Sequence, residues 1–307
     1  MARACPATFL SAVASAYAAG LPIVKFGNAR LKDAYAERCL NGDYVGAFAL
    51  SEAGSGADPA AIATTAEKKK DRWVLRGAKA YVTNAPIADF IVVAARTKPG
   101  SGPDGISLFL VDARARGVKS VRLSLMGHRG APVGDLDVRC EVGEDDLIGN
   151  EGEGFGYMMH ALQAARLAAA VGALGIGVSC LEHSLERARE RVSCGEKIIK
   201  FQEVSFKLAQ MRLMTDVSRL LVQHAAWCMD EHAPDAASAV SCAKVYATES
   251  ATKISHMAVQ IFGASGYTAG CPAERLYRDA RLGEILWGPS EVQRVMLARD
   301  VLSKVRP

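Results

Sequence analysis

The feature that most constrains the fold is a change of hydrophobic period along the chain. Between residues 43 and 148, short apolar or alternating segments are separated by clusters of Gly, Pro, Asp and Lys. This pattern is typical of strands. The strand candidates are "YVGAFALS", "RWVLRGAKAYVTN", "DFIVVAART", "GISLFLVDA" and "DLDVRCEV", with a hairpin at Lys70-Asp71. Strands at this spacing, without helices between them, predict an antiparallel β-barrel or sandwich.

The regions on either side of these strands have helical patterns. Asn28 can cap a helix through "ARLKDAYAERCL" that ends at Gly42, with Leu31, Ala34, Tyr35 and Leu40 on its apolar stripe. After residue 148 we expect four helices joined by short loops, as in a four-helix bundle. They run from about Gly154 to Val192, Gln202 to Glu231, Pro234 to Phe262 and onward from Ser290.

The second of these helices carries apolar residues at intervals of three and four positions. The stripe consists of Phe206, Ala209, Leu213, Val217 and Leu220. This spacing predicts a core-facing stripe. Taken together, the patterns predict an α+β chain of three domains. These are an N-terminal helical domain (1–42), a central β-barrel or sandwich domain (43–148) and a C-terminal helical bundle (149–307).

Charge and cysteine usage exclude several classes of protein. The net charge is only +4, and the one basic run, Lys68 to Lys70, is most simply a solvated turn, so no nucleic-acid partner is expected. The eight cysteines form no C-x-x-C pair and have no His at ligand spacing, which predicts no metal site and a reducing, cytoplasmic location. The apolar run Leu167–Leu181 is shorter than the ~20 residues of a membrane span, so a buried helix is expected there.

Four motifs are weak when each is taken alone. "FALSEAGSGAD" places Gly54 and Gly56 in a loop where backbone N–H groups could approach an anion. "GAKAYVTNA" carries Tyr81 and Thr83 two residues apart, on one face of a strand. "RERVSCGEKIIKFQ" ends a helix with Arg191, and "QIFGASGYTAGCPAERLYRDARLGEILWGPSEVQ" combines a Gly-rich loop with a dense charge cluster.

In this order along the chain, the four motifs resemble the acyl-CoA dehydrogenase flavoprotein family. The resemblance implies a helical N-terminal domain, a central β-barrel and a C-terminal four-helix bundle. It also implies FAD as the cofactor, an acyl thioester on CoA or an acyl-carrier protein as the substrate, and an electron-transfer flavoprotein as a possible acceptor. A homodimer or homotetramer is the expected assembly. Only 47 residues precede "FALSEAGSGAD", so the family's usual first helices are expected to be missing.

The resemblance also implies roles for individual residues. Phe48, Leu50 and Ser51 match the strand at the flavin's pyrimidine edge, and Tyr81 and Thr83 match the pair beside the isoalloxazine. Four further residues match the family's contacts to the pyrophosphate and adenosine part of FAD across a subunit interface. They are Arg191, Gln202, Gln260 and Gly263. Further candidates are Gly56 and Glu291 for the cofactor, and Arg166, Trp287 and Gly288 for the substrate.

The sequence departs from the family at the catalytic base. The family's usual Glu position is occupied by Trp287, and the alternative position, just before Arg166, by Ala165. An indole cannot abstract an α-proton. Glu284 and Glu291 are the carboxylates nearby in sequence, and neither is favoured, because an acidic residue such as Glu291 at a helix start is commonly structural. Pro289 also replaces a flavin-contacting Thr.

These departures leave two functional hypotheses. The first is FAD-dependent α,β-dehydrogenation of an acyl thioester with a relocated base. The second is a family member that does not dehydrogenate. It would be either a flavin-dependent oxygenase or oxidase, or a degenerate subunit that pairs with an active homologue. The first is supported by the retained Ser51, Tyr81, Thr83, Arg191 and Gln260, and the second by Trp287 and Ala165.

Overall fold

The computed structural model describes residues 1–100 and 102–304, and the chain divides into two compact units. The sheet unit comprises Ser11–Leu125 and Arg129–Ala165. The helical unit comprises Met1–Leu10, Met126–His128 and the chain from Arg166 onward. Each unit has its own apolar core.

The sheet unit contains eight strands that form one sheet. They are β1 (Gly46–Ala49), β2 (Thr65–Lys69), β3 (Arg72–Thr83), β4 (Phe90–Arg96), β5 (Ile106–Asp112), β6 (Val118–Arg122), β7 (Val133–Gly143) and β8 (Leu147–Ile148). All five strand candidates of the sequence are confirmed, as is the β2–β3 hairpin, in which Lys69 is opposite Arg72. The short strands β6 and β8 were not predicted.

The prediction of an antiparallel barrel requires correction. The strand order is β6-β7-β3-β2-β4-β5-β8, with β1 paired to β4 off this path, and no pairing joins β6 to β8 among the described residues. The pairs β1–β4 and β2–β4 are parallel, so the sheet is mixed. Parallel pairing needs a crossover connection, and residues 50–89, which include β2 and β3, connect β1 to its parallel partner β4.

The N-terminal helical region is interrupted by π-helical turns. Its helices are α1 (Pro6–Val13), α2 (Leu21–Phe26), α3 (Ala29–Leu31) and α4 (Glu37–Asn41), with π-helical turns at Ala14–Gly20 and Lys32–Ala36. The predicted cap is confirmed, because the Asn28 side chain accepts a hydrogen bond from the Leu31 N–H at 2.9 Å. Gly42 ends α4 with φ +81°. The predicted apolar stripe is wrong at Leu40, which is 72% exposed, because a π turn adds a residue and shifts the helical phase.

The chain after the sheet contains the long helices predicted from the sequence and one more, and the first of them begins in the sheet unit. They are α5 (Gly154–Glu190), α6 (Gln202–Asp230), α7 (Ala236–Phe262), α8 (Pro272–Leu282) and α9 (Ser290–Lys304), and a two-stranded hairpin, β9 (Val192–Ser193) with β10 (Glu196–Lys197), precedes α6. Helix α8 was missed because charged residues dominate its sequence. Small residues along α5 and α7 allow close packing, and the core is built from their Ala residues with Met211 and Met214 of α6.

The predicted core stripe of α6 is wrong. Phe206, Leu213 and Leu220 are 61%, 57% and 66% exposed, and the helix instead buries residues on another face. The buried residues are Leu208, Met211, Met214, Thr215, Ser218, Val222, Ala225 and Cys228. Both faces carry apolar residues at helical spacing, so periodicity alone could not decide which one meets the core.

Two helical stretches, Pro6–Phe26 and Gly154–Glu190, are long and apolar enough to cross a membrane by length and composition. About half of each apolar window, 56% and 50%, is buried within the protein. Such burial is typical of the core helices of a folded protein, in keeping with the expectation for Leu167–Leu181.

Candidate functional site

A β-bulge in β3 determines which side chains the candidate flavin-edge strand exposes. Pairing of β3 with β7 runs as far as Lys79 opposite Leu136 and resumes with Val82 opposite Gly134. Two residues of β3, Ala80 and Tyr81, therefore oppose a single residue of β7. Because side chains alternate along a strand, the extra residue shifts the pattern by one position.

The shift changes the exposure of two predicted site residues. Lys79 and Val82 are both buried, whereas Tyr81 is 71% exposed and Thr83 is half-buried. Without the bulge, Tyr81 and Thr83 would share the inward face with Lys79. Tyr81 also has φ +58°, a left-handed conformation that is uncommon for an aromatic residue and is frequently found at functional sites.

The segment that follows β1 is bound to this bulge. The Ala80 N–H donates to the Ser51 carbonyl at 2.8 Å, and the Lys79 ammonium donates to the Leu50 carbonyl at 3.1 Å. The hydroxyls of Ser51 and Thr83 have no hydrogen-bond partner within residues 1–100 and 102–304. The structure thus brings Leu50 and Ser51 close to the bulge of β3, and it leaves two hydroxyls free to bind a ligand.

The Gly-rich loop after Ser51 differs from the expectation for an anion-binding turn. Gly54 and Gly56 are exposed, and neither adopts positive φ. A Cβ added at either glycine would meet no atom within 4 Å. The structure gives no steric reason for glycine at these two positions. Phe48, in β1, is half-buried.

In the helical unit, a loop from Gly283 to Pro289 carries Trp287. Trp287 has φ +52° and Gly288 has φ +101°, so two consecutive residues are left-handed. The Trp287 carbonyl accepts a hydrogen bond from Nε of the buried Arg166 at 3.0 Å. The Gly288 carbonyl accepts from Nε2 of Gln293 at 3.3 Å. A bulky residue in this conformation persists only where its surroundings hold it.

The polar groups beneath this loop are buried and connected. Gln293 accepts a hydrogen bond from the Ser241 hydroxyl at 3.0 Å, and the ammonium of the fully buried Lys244 donates to the Glu284 carbonyl at 3.3 Å. Burial, together with repulsion by Arg166, lowers the pKa of Lys244 to about 8, against the opposing effect of nearby glutamates. Burial also lowers the pKa of Arg166. The sequence reasoning missed Lys244; a lysine among apolar residues on a helix predicted to be buried was the available signal.

The two carboxylates near Trp287 in sequence have different surroundings. One Glu284 oxygen accepts from the Thr252 hydroxyl at 2.6 Å, and the other lies 2.6 Å from Nη1 of Arg281. Glu291 is exposed in the first turn of α9 and forms no hydrogen bond or ion pair with any described residue. Glu284 is therefore engaged, and Glu291 is free to act on a ligand. Ala165 is fully buried within α5.

The residues predicted to reach the distal part of the cofactor are exposed. Arg191, Gln202 and Gln260 have exposed side chains with no partner among the described residues, and Gly263 ends α7 with φ +64°. The Gly263 N–H donates to the Gln260 carbonyl at the end of α7, and in the described part of the chain no side chain of Arg191, Gln202 or Gln260 bonds to another of these residues. This exposure is compatible with a ligand that is shared with another subunit. No group of His, Cys, Asp and Glu residues suited to a metal ion occurs in the described chain.

Comparison with known proteins decides the family. The acyl-CoA dehydrogenase middle domain matches residues 47–139, and the acyl-CoA dehydrogenase C-terminal domain matches residues 152–302. The human mitochondrial short-chain specific acyl-CoA dehydrogenase is 40% identical over 287 residues, which are 93% of this chain and 69% of that protein. The chain belongs to the acyl-CoA dehydrogenase family.

Two solved structures in the comparison are informative about this family member. Butyryl-CoA dehydrogenase from Megasphaera elsdenii superposes with a TM-score of 0.95 at 31% identity, covering 98% of this chain and 79% of that one. The prolyl acyl carrier protein oxidase AnaB superposes with a TM-score of 0.92 at 30% identity, covering 96% and 79%. The family predicted from the four motifs is confirmed.

The side chains of this chain fit a flavin at the β1–β3 site, which we define as Leu50 and Ser51 after β1 together with Tyr81 and Thr83 of β3. A flavin's pyrimidine edge and N5 need hydrogen-bonding groups, and its ring needs an aromatic or apolar wall. The free hydroxyls of Ser51 and Thr83 and the exposed ring of Tyr81 supply such groups.

Proposed function

We propose that this protein is an FAD-dependent enzyme that removes hydrogen from the α and β carbons of an acyl thioester carried by CoA or an acyl-carrier protein. The observation that carries this proposal is the β1–β3 site, where Tyr81 is exposed and the hydroxyls of Ser51 and Thr83 are free. When bound, FAD supplies a hydride acceptor. Phe48 and Leu50 would line the same edge, and Arg191, Gln202, Gln260 and Gly263 would hold the distal phosphates and adenosine.

The chain's own residues also have roles toward the substrate. Arg166 is buried, and its only described partners are the Trp287 carbonyl and a sulfur contact to Met296. A buried cation without a carboxylate favours a ligand that carries negative or partly negative oxygen. We assign it to the thioester arm, with Gly288 beside it in space, since a Cβ added at Gly288 would lie 3.5 Å from Arg166 Nε. Glu291 is the carboxylate left free to take up the α-proton.

A second function is supported by Trp287. Its indole occupies the family's usual base position, and Glu284 is held by Thr252 and Arg281. A flavin-dependent oxygenase, or an oxidase whose substrate is not an acyl thioester, needs no α-proton base, and neither does a subunit that supports an active homologue. These three alternatives differ in flavin content and in their reaction with oxygen.

Anaerobic mixing with acyl thioesters tests the first function. The purified protein should show flavin absorbance, and butyryl-CoA or another member of an acyl-CoA and acyl-carrier panel should bleach it. Flavin that stays oxidised with every thioester rules out dehydrogenation. Oxygen uptake by the photoreduced protein would then identify an oxidase or oxygenase, whereas a colourless protein that co-purifies with a homologue would identify a supporting subunit.

We also propose that the chain assembles into a homo-oligomer through the exposed stripe of α6. The stripe consists of Phe206, Leu213, Leu220 and Trp227, which are spaced seven residues apart and are each more than half exposed. It spans about 32 Å along the helix. The order aromatic, Leu, Leu, aromatic is the same from either end, so an antiparallel second copy presents a matching surface.

The charges beside the stripe favour this self-association. Lys207 pairs with Glu203, and Arg212 pairs with Asp216 at 2.5 Å, both within the same helix. The flank therefore carries little net charge to repel a second copy. A hetero-oligomer with an active homologue would use the same surface.

All eight cysteines are free thiols, which supports a cytoplasmic location.

A further inference from the structure

A buried ion pair lies directly behind the β1–β3 site. The Lys79 side chain is 0% exposed and that of Glu52 10%, and Lys79 Nζ lies 2.7 Å from Glu52 Oε1. Lys79 also donates to the Leu50 carbonyl at 3.1 Å. One ammonium therefore contacts the main chain and the side chain of the segment that carries Ser51.

The Glu52 carboxylate is bound on its other side to the turn before β2. It accepts hydrogen bonds from the Thr64 hydroxyl at 2.6 Å, the Thr64 N–H at 3.0 Å and the Ala63 N–H at 2.7 Å. Burial raises the pKa of Glu52, but hydrogen bonds from Lys79, Thr64 and Ala63 outweigh this and lower it overall. Burial lowers the pKa of Lys79 to about 8 against the opposing effect of Glu52, so both groups are charged at neutral pH.

The bulge adds a second connection to the same segment. Because Ala80 lies outside the β3–β7 ladder, its N–H is free to donate to the Ser51 carbonyl. The segment Leu50–Glu52 is thus bound to β3 by three hydrogen bonds, two from Lys79 and one from Ala80. These are adjacent to Tyr81, whose N–H donates to Asp135 Oδ1 at 3.1 Å.

A charged pair in this place is not the simplest way to fill a core. Moving two charges out of water costs several kcal/mol each, and an apolar pair of the same size is often equally stable or more so. An apolar pair could not hold the Leu50 carbonyl, the Thr64 hydroxyl and the N–H groups of Ala63 and Thr64 at defined distances. The geometry of the pair therefore suits positioning better than packing.

We propose that Lys79 and Glu52 are positioning residues that hold Leu50 and Ser51 at a fixed register against Tyr81 and Thr83, so that the flavin-edge groups are preorganised. This inference rests on the proposed binding of FAD. It goes beyond the residues that contact the cofactor, because neither Lys79 nor Glu52 presents an exposed side chain. A preorganised site binds more tightly, since less conformational freedom is lost on binding.

The test compares three variants with the wild-type protein. Removing Lys79 alone would leave a buried carboxylate unpaired, so the main variant is the double change Lys79→Met with Glu52→Gln, which removes both charges. Glu52→Asp keeps the charge and shortens its reach by one methylene. The matched control is Lys68→Met, which breaks an exposed ion pair to Glu144 on the same sheet.

Two measurements are made on each protein after circular dichroism has verified the fold. The first is FAD affinity, measured by quenching of flavin fluorescence on titration into apoprotein. The second is amide hydrogen exchange of the peptide that contains Ala80 and Tyr81, measured without FAD. We expect the double variant and Glu52→Asp to bind FAD at least tenfold more weakly and to exchange at least tenfold faster. Lys68→Met should change neither quantity.

The outcomes separate this inference from the proposed function. The positioning role is overturned if the folded double variant or Glu52→Asp binds FAD as tightly as wild type, or if its Ala80 exchange is unchanged. Wild-type protein that takes up no FAD overturns the proposed function. If the double variant does not fold, Glu52→Asp decides the matter by the same two measurements.

Discussion

Nε of Arg166 donates to the Trp287 carbonyl at 3.0 Å, which connects a buried cation on α5 to a left-handed residue in the 283–289 loop. This bond fixes the loop that, from the resemblance to the family, is expected to carry the base. The indole at that position can pack or donate one N–H, and it cannot accept a proton. The loop is therefore held by Arg166 but has no carboxylate at residue 287.

A carboxylate at residue 287 should add base catalysis to that proposed for Glu291 if the flavin and thioester bind as proposed. A general base contributes roughly 10²- to 10⁴-fold in rate. We expect Trp287→Glu to bleach flavin with butyryl-CoA about 10²-fold or more faster than Trp287→Gln, measured by anaerobic stopped flow. The Gln variant has the same length without the basic oxygen. Equal rates for the two variants would show that the substrate's α-carbon does not reach residue 287.

Gly288 should tolerate no side chain. Its φ is +101°, and an added Cβ would lie 2.6 Å from Nε2 of Gln293. We expect Gly288→Ala to lower the free energy of unfolding by about 1–3 kcal/mol, measured by urea denaturation. Gly156→Ala is the control, since an added Cβ meets nothing within 4 Å in α5 and should raise stability by roughly 0.5–1 kcal/mol. Equal changes in the unfolding free energy of the two variants would contradict backbone strain at Gly288.

Lys244 should make stability rise at alkaline pH. Its pKa is lowered in the folded protein to about 8 from 10.5, so the unfolded chain binds more protons between these values. The unfolding free energy therefore increases as pH rises through this window. Between pH 8 and pH 10, the unfolding free energy of the wild-type protein should rise by about 2 kcal/mol more than that of Lys244→Met.

The measurement is urea unfolding of both proteins at the two pH values, with the difference taken between proteins so that other groups cancel. Lys253→Met serves as the control, because this exposed lysine lies on the same helix α7. If the unfolding free energy of the wild-type protein rises no more between the two pH values than that of Lys244→Met, folding does not lower the pKa of Lys244.

The exposed stripe of α6 should control assembly. Introducing a charge at Leu213 should disrupt packing against a second copy, whereas the fold should persist because this side chain is 57% exposed. We expect Leu213→Glu to lower the sedimentation-derived mass of the assembly, with unchanged circular dichroism. The control is Val121→Glu, since Val121 is also exposed, at 68%, but lies on β6. Loss of assembly in the control alone would assign the interface elsewhere.

Local signals in the sequence were sufficient for much of the fold. Asn28 and Gly42 delimit their helical segment through contacts within a few residues, and the Lys70-Asp71 turn joins β2 to β3. The four family motifs were sufficient to predict the family and to point to Trp287. These features depend on neighbours in the chain, which is why the sequence alone reveals them.

Other features depend on residues distant in the chain. The β3 bulge arises from the register with β7, some 55 residues away, and it alone places Tyr81 and Thr83 outward while Lys79 faces inward. Glu284 accepts a hydrogen bond from Thr252, 32 residues away in the chain, and Phe206 is exposed because another face of α6 meets the core. Periodicity and caps are determined locally by the sequence. Three other features are decided only when distant segments compete for the same contacts. They are strand register, the choice between two apolar helix faces and the partners of buried charges.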